Sequence, residues 1–94
     1  MNIKIHKTKY SLIVALCDKK LIGKEIKEGA LCIKLTERFY EGEDLPENRV
    51  IEILKDADSI NIVGEKSIQL ALKAGIIKKD DIKRIKDVPF AISV

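Results

Sequence analysis

SINIVGEKSIQLALKAG, residues 59–75, is the stretch on which the fold class turns. Its first five residues, Ser59 to Val63, are largely β-branched and apolar, the make-up of a short strand. Gly64 interrupts them. Beyond it Ile68, Ala71 and Leu72 recur at helical spacing until Gly75, which reads as the C-terminal cap. The stretch is therefore a strand, a tight turn and a helix.

Working toward the N-terminus, Pro46 suits the first turn of a helix, where its missing N–H leaves nothing unpaired. Val50, Ile51, Leu54 and Ala57 then follow at helical spacing with Glu52, Lys55 and Asp56 facing outward. The two helices are expected to bury Leu54 and Leu72 on their inner sides. Before them, Thr36 to Leu45 carries Phe39, Tyr40 and Gly42 among acids and reads as a connecting loop anchored by its aromatic pair. Leu31, Ile33 and Leu35 alternate with Cys32 and Lys34 as a strand, whereas Asp18 to Ala30 reads as an ordered loop turned by Gly23 and Gly29.

At the start of the chain, Ile3 and Ile5 alternate with Lys4 and His6, the period of a strand with one wet face that carries His6. Tyr10 to Cys17 is apolar enough for a strand buried on both faces, and the two strands should form a hairpin. At the far end, Ile82, Ile85 and Val88 to Val94 suggest a closing pair of strands, with Pro89 at an edge. The sum is an α+β fold, a mostly antiparallel sheet of about five or six strands with two main helices on one face, in a single domain spanning 1–94.

Composition sets limits on function. At 46% hydrophobic the chain has material for one core, and its 35% charged residues interleave both signs, so disorder is not expected. Fifteen Lys and sixteen Ile beside one Gln resemble the usage of hyperthermophile proteins. The longest apolar run, Leu12 to Cys17, falls far short of the ~18 residues of a membrane span. The N-terminal residues lack a signal peptide's apolar stretch and cleavage site, so a cytoplasmic protein is expected. Cys17 and Cys32 lie in strand-like stretches and read as buried free thiols. With a lone His6 they do not make a metal site, and no cofactor is implied.

The net charge of +3 is small but unevenly spread. Residues 1–35 carry +5, residues 36–58 carry −5 and residues 59–94 carry +3. Folding is expected to merge the basic ends on one face, away from the acidic middle.

The blocks Leu21-Ile-Gly-Lys24, Glu28-Gly29, Phe39-Tyr40-Glu41-Gly42, Asn61-Ile-Val-Gly-Glu65, Ala74-Gly75 and Val88-Pro89 resemble, in order along nearly the whole chain, a small archaeal family known as domain of unknown function 424. The resemblance implies an archaeal, cytoplasmic source and no particular activity. The family pattern has a histidine after the proline of the last block. This chain has Phe90 there, so an acid–base or metal role at that position does not carry over.

Two stretches carry candidate chemistry. Gly64, Glu65, Lys66 and Ser67 form a turn at a helix N-terminus, where free N–H groups, a cation and a hydroxyl suit an anion such as phosphate. The spacing is not that of a Walker loop, and Ser67 as a helix cap with Glu65 as a first-turn acid explains the same residues. The second set is Lys7, Lys9, Lys19, Lys20, Gly23 and Lys24, joined by Lys66, whose basic and glycine-rich loops suit an RNA phosphate backbone. Glu41 with Glu43, and Asp80 with Asp81, are carboxylate pairs of the kind common on charged surfaces. No Cys–His pair or activated Ser is evident. The reading is a non-enzymatic binding module for RNA or the ribosome. Its alternatives are a small phosphate-ligand enzyme centred on residues 64–67 and a protein-interaction adaptor using the acidic helix.

Overall fold

The computed structural model describes residues 1–93. Asn2–Lys7 (β1) and Leu12–Cys17 (β2) form the expected hairpin, with Ile3 opposite Leu16 and Lys7 opposite Leu12, but the second strand starts at Leu12 and not at Tyr10, which is exposed in the turn. Glu25–Glu28 (β3) and Leu31–Lys34 (β4) form a second hairpin. A one-turn helix, Glu37–Tyr40 (α1), and a two-residue strand, Glu43–Asp44 (β5), lead into Glu47–Asp56 (α2). Ser59–Val63 (β6), Glu65–Lys73 (α3), Lys83–Ile85 (β7) and Val88–Ser93 (β8) complete the α+β fold.

Among the described residues six strands share one sheet in the order β5-β1-β2-β6-β8-β7. All pair antiparallel except β2 and β6. Because side chains alternate across a strand, the register sorts them cleanly between faces. Ile3, Leu16, Ile62 and Ala91 lie in one row across β1, β2, β6 and β8. That row faces α2 and α3, which contribute Val50, Leu54, Ile68, Leu70 and Ala71 to the same cluster. The opposite face, with Ala15, Cys17 and Val63, is covered by Leu21, Ile26, Leu35 and Tyr40 from the β3–β4 hairpin and its surroundings. This double cover explains why β2 is apolar without alternation.

Several expectations change. The stretch Asp18 to Ala30 is not only loop, since it contains a short 3-10 turn at Lys19–Leu21 and β3. The strand at Leu31–Lys34 pairs with β3 in a separate two-stranded sheet and does not extend the main one. Thr36 to Leu45 contains α1 and β5, although its aromatic pair does anchor it. Phe39 stacks on His6 with ring centroids 4.5 Å apart and meets Tyr40 edge-on at 4.9 Å. Pro89 sits on β8, between β6 and β7 rather than at an edge. Just past Val63 and Phe90, the Pro89 carbonyl accepts from Gly64 N–H at 2.9 Å while the Gly64 carbonyl accepts from Ile68 N–H at 2.9 Å, so the N–H that proline lacks leaves no acceptor unpaired. Leu72 is only half-buried, because Ile68, Leu70 and Ala71 take the inner side of α3. Cys17 is buried as expected, but Cys32 is exposed.

The helix ends follow simple rules. At the C-terminus of α3, Gly75 takes φ +74° and its N–H donates to Leu72 O at 3.1 Å, while Ile76 N–H donates to Ala71 O at 2.9 Å. These two bonds are a Schellman closure, as the glycine predicted. No helix among the described residues is long and apolar enough to cross a membrane.

Candidate functional site

The parallel pair β2–β6 ends with Cys17 opposite Val63, and the chain does something different beyond each strand. After β6, Gly64 adopts φ +110° and α3 begins at Glu65 with no side chain of its own capping the first turn. The cap comes from the neighbouring strand. Asp18, which follows β2, accepts from Lys66 N–H at 3.1 Å and Ser67 N–H at 2.9 Å, and from the Ser67 hydroxyl at 2.7 Å. A carboxylate on the positive end of a helix satisfies donors that the helix cannot. Asp18 and Ser67 are both buried, so these bonds are shielded from water.

Gly64 is required there on two counts. Its φ is strained for any side chain, and a Cβ would stand 2.3 Å from Asp18 Cγ. Its own N–H is also engaged, donating to Pro89 O at 2.9 Å. Glu65 points away and meets Arg84 Nη1 at 3.1 Å. The anion expected over Gly64, Glu65, Lys66 and Ser67 is therefore supplied by the chain itself, and Ser67 is a buried donor to Asp18 rather than the helix cap. Of that turn, the Glu65 and Lys66 side chains both face solvent, and only Lys66 is without an ion-pair partner among the described residues.

Lys66 lines a cleft of about 360 Å³ outside the carboxyl ends of β2 and β6, together with Met1, Asn2, Cys17, Asp18, Lys19, Lys20 and Asp44. Open α/β sheets characteristically bind ligands at this end of their parallel strands. Both acids in the cleft are engaged: Asp18 on α3, and Asp44 on the Met1 ammonium at 2.8 Å. The ammonium beside Asp44 holds its carboxyl below the usual range, with Lys19 adding to the effect. Among the described residues, Lys19, Lys20 and Lys66 have no ion-pair partner. Burial pushes the Cys17 thiol at the cleft floor up to about 12, helped by the Asp18 charge, so it stays neutral.

The remaining candidates fall elsewhere. Lys7 ends β1 and Lys9 lies in the turn before β2, about 17 Å along that strand from Lys19 and Lys20. Gly23, at φ +89°, and Lys24 exchange backbone bonds with Leu35, at 2.6 and 2.9 Å, and so continue the β3–β4 ladder. Their role in the structure is to hold the hairpin. Nor are the basic and acidic regions segregated, because Lys19 also borders a second cleft with Glu37, Glu41 and Asp44. Asp81 accepts from Lys78 N–H at 2.8 Å within its own turn. Among the described residues no three His, Cys, Asp or Glu side chains are grouped to hold a metal ion.

Two buried residues were not visible as site residues in the sequence. Asp18 is one. The other is Asn2, whose amide donates to Tyr40 O at 2.6 Å and accepts from Gly42 N–H at 3.0 Å. Gly42 lies so close to β1 that a Cβ would meet Ile3 O at 2.1 Å. Asn2 thereby fixes the wall of the cleft that carries Asp44.

The fold and the cleft define a small α+β protein with a basic pocket at the end of a parallel strand pair. The chain belongs to the family described as protein of unknown function (DUF424), whose model matches residues 6–94. It is similar to an uncharacterized conserved protein from Methanopyrus kandleri whose crystal structure is known, at 27% identity and a TM-score of 0.81, covering 98% of this chain and 88% of that one. No curated protein matches it.

Proposed function

We propose that the protein is a non-enzymatic module that binds RNA through its phosphates at the cleft beyond β2 and β6. The observation that carries the reading is the convergence of Lys19, Lys20 and Lys66, from distant parts of the chain, on one cleft whose two acids are already engaged. Cations without local partners favour a polyanion, and lysine contacts to phosphate give affinity without base identity. RNA free or within the ribosome presents the same phosphate chemistry. Mobility-shift titration with bulk archaeal RNA tests the reading. The cleft alone should make affinity fall with salt at a log–log slope of magnitude about 2, from about 0.7 for each of three contacted phosphates on single strands. Replacing Lys19, Lys20 and Lys66 with Gln should flatten the slope, whereas replacing Lys24 should not. An absence of RNA binding at low salt would refute the proposal.

A second reading rests on the size of the cleft, since about 360 Å³ suits a small phosphate-bearing ligand. A ligand that binds only the native state raises Tm. A thermal-shift series of nucleotides and sugar phosphates separates the two readings, because only the small-ligand reading expects saturable stabilisation by a single compound.

A further inference from the structure

The four residues joining β1 to β2, Thr8 to Ser11, present a feature that folding does not explain. Tyr10 is 87% exposed, while the other exposed large apolar side chains, Ile5, Leu31 and Ile92, reach 43%, 59% and 63%. The turn is held without its ring. Thr8 N–H donates to Ser11 O at 2.9 Å, and Thr8 Oγ1 accepts from Tyr10 N–H at 3.3 Å and Ser11 N–H at 3.0 Å. Tyr10 is thus a large apolar ring displayed on an ordered tip, in contrast to Tyr40 and Phe39, whose rings anchor α1.

One cation lies over it and a second is close by in the chain. Lys9 Nζ lies 5.5 Å from the Tyr10 ring centroid, and Lys7 is exposed at the end of β1. Among the described residues neither lysine has an ion-pair partner. Asp58, which reaches this end of the sheet, is occupied by Leu12 N–H at 2.7 Å.

We propose that the β1–β2 tip is a base-stacking contact for single-stranded RNA, with Tyr10 as the platform and Lys7 and Lys9 on the adjoining phosphates. The proposal rests on the RNA reading above and adds to it a chemistry the cleft lacks. A ring face accepts any base, so the contact favours unpaired strands over duplexes without selecting sequence.

The test compares binding of an oligouridylate with that of an abasic ribose-phosphate oligomer of equal length at low salt. The wild-type protein should prefer the base-bearing strand by about tenfold, the scale of one stacked base. Tyr10→Ala should remove that preference while leaving abasic binding and Tm unchanged, and Tyr10→Phe should retain it. If Tyr10→Ala binds oligouridylate within about twofold of wild type, the stacking contact is overturned while the phosphate cleft stands. If wild type binds neither strand, both readings fall. A Lys19, Lys20 and Lys66 to Gln variant that weakens both strands alike while keeping the tenfold preference supports two separable contacts.

Discussion

On one face of the six-stranded sheet, α2 and α3 lay stripes of helical period over Ile3, Leu16, Ile62 and Ala91. On the other, a two-stranded hairpin and a single helical turn cover Ala15, Cys17 and Val63. Twelve buried residues form the first cluster and eight the second among the described residues, so the helical face should contribute more of the stability. It also comes from longer elements with their own internal hydrogen bonds. The hairpin face depends on the sheet to hold it in place.

The largest effect is expected where the two faces meet. Gly64→Val would strain a φ of +110° and drive Asp18 off the buried Ser67 hydroxyl. Strain and an unsatisfied buried group together should cost about 4 kcal/mol or more in urea unfolding. A loss near 1 kcal/mol would mean that the junction can relax.

Leu54→Ala comes next, at about 3 kcal/mol, because Leu54 is nearly inaccessible beneath α2. Leu35→Ala probes the other face from an equally buried site. A comparable loss there would show that both covers belong to one cooperative unit. A loss under ~1 kcal/mol, with fast amide exchange in β3 and β4, would show the hairpin opening by itself.

Alkaline titration sharpens the same contrast. The Cys17 thiol is pushed from 9.0 up to about 12, so the folded chain holds that proton more tightly than the unfolded chain does. The resulting stability is whole below pH 9.0 and is lost as the pH rises toward 12. The Tm of wild type should therefore fall more steeply above pH 9 than that of Cys17→Ala. In the native protein at neutral pH, a thiol reagent should modify exposed Cys32 and spare Cys17, by mass spectrometry.

Smaller effects close the series. Leu72→Ala should cost about 1 kcal/mol, since the side chain is only half-buried against the helical cluster. In the β7–β8 turn, Lys86 and Asp87 hold φ of 47° and 63°, values that suit Asn-Gly better. Asp87→Gly should raise stability by up to ~1 kcal/mol, and a decrease would show that the aspartate side chain contributes a contact of its own.

The parts legible in the sequence are those whose signals are local. Residues 59–75 announced a strand, a glycine turn and a capped helix, and Gly64 and Gly75 both show the positive φ their positions demanded. Val50 and Leu54 marked the inner side of α2 by spacing alone. The hairpin face was harder to see. Glu25-Ile-Lys-Glu28 offers one apolar residue to a strand pattern, and β3 exists because Ile26 packs under the sheet. The site was hidden for a related reason. Asp18 is an ordinary acid after a strand until the parallel register sets it beside α3, and nothing near it in sequence announces that partner. The lysines were visible as charge, but which of them share a cleft is a property of topology. That is why Lys66 joins Lys19 and Lys20 while Lys7 and Lys9 do not.

The single parallel pair at the centre of the sheet also bears on how the chain is made. β2 is the most apolar strand, yet its partner β6 lies in the second half of the chain and emerges from a ribosome only after α2 has been completed. Until then β2 has one neighbour, β1, and an open hydrogen-bonding edge of Leu12 to Cys17, the kind of edge that recruits other chains. Closing the sheet requires a long loop to be ordered first, which slows folding relative to a helical protein of this size. The pairing of β6 with β2 also sets Asp18 beside α3 and Lys66 beside Lys19 and Lys20, so the candidate binding surface exists only once that parallel pair has formed.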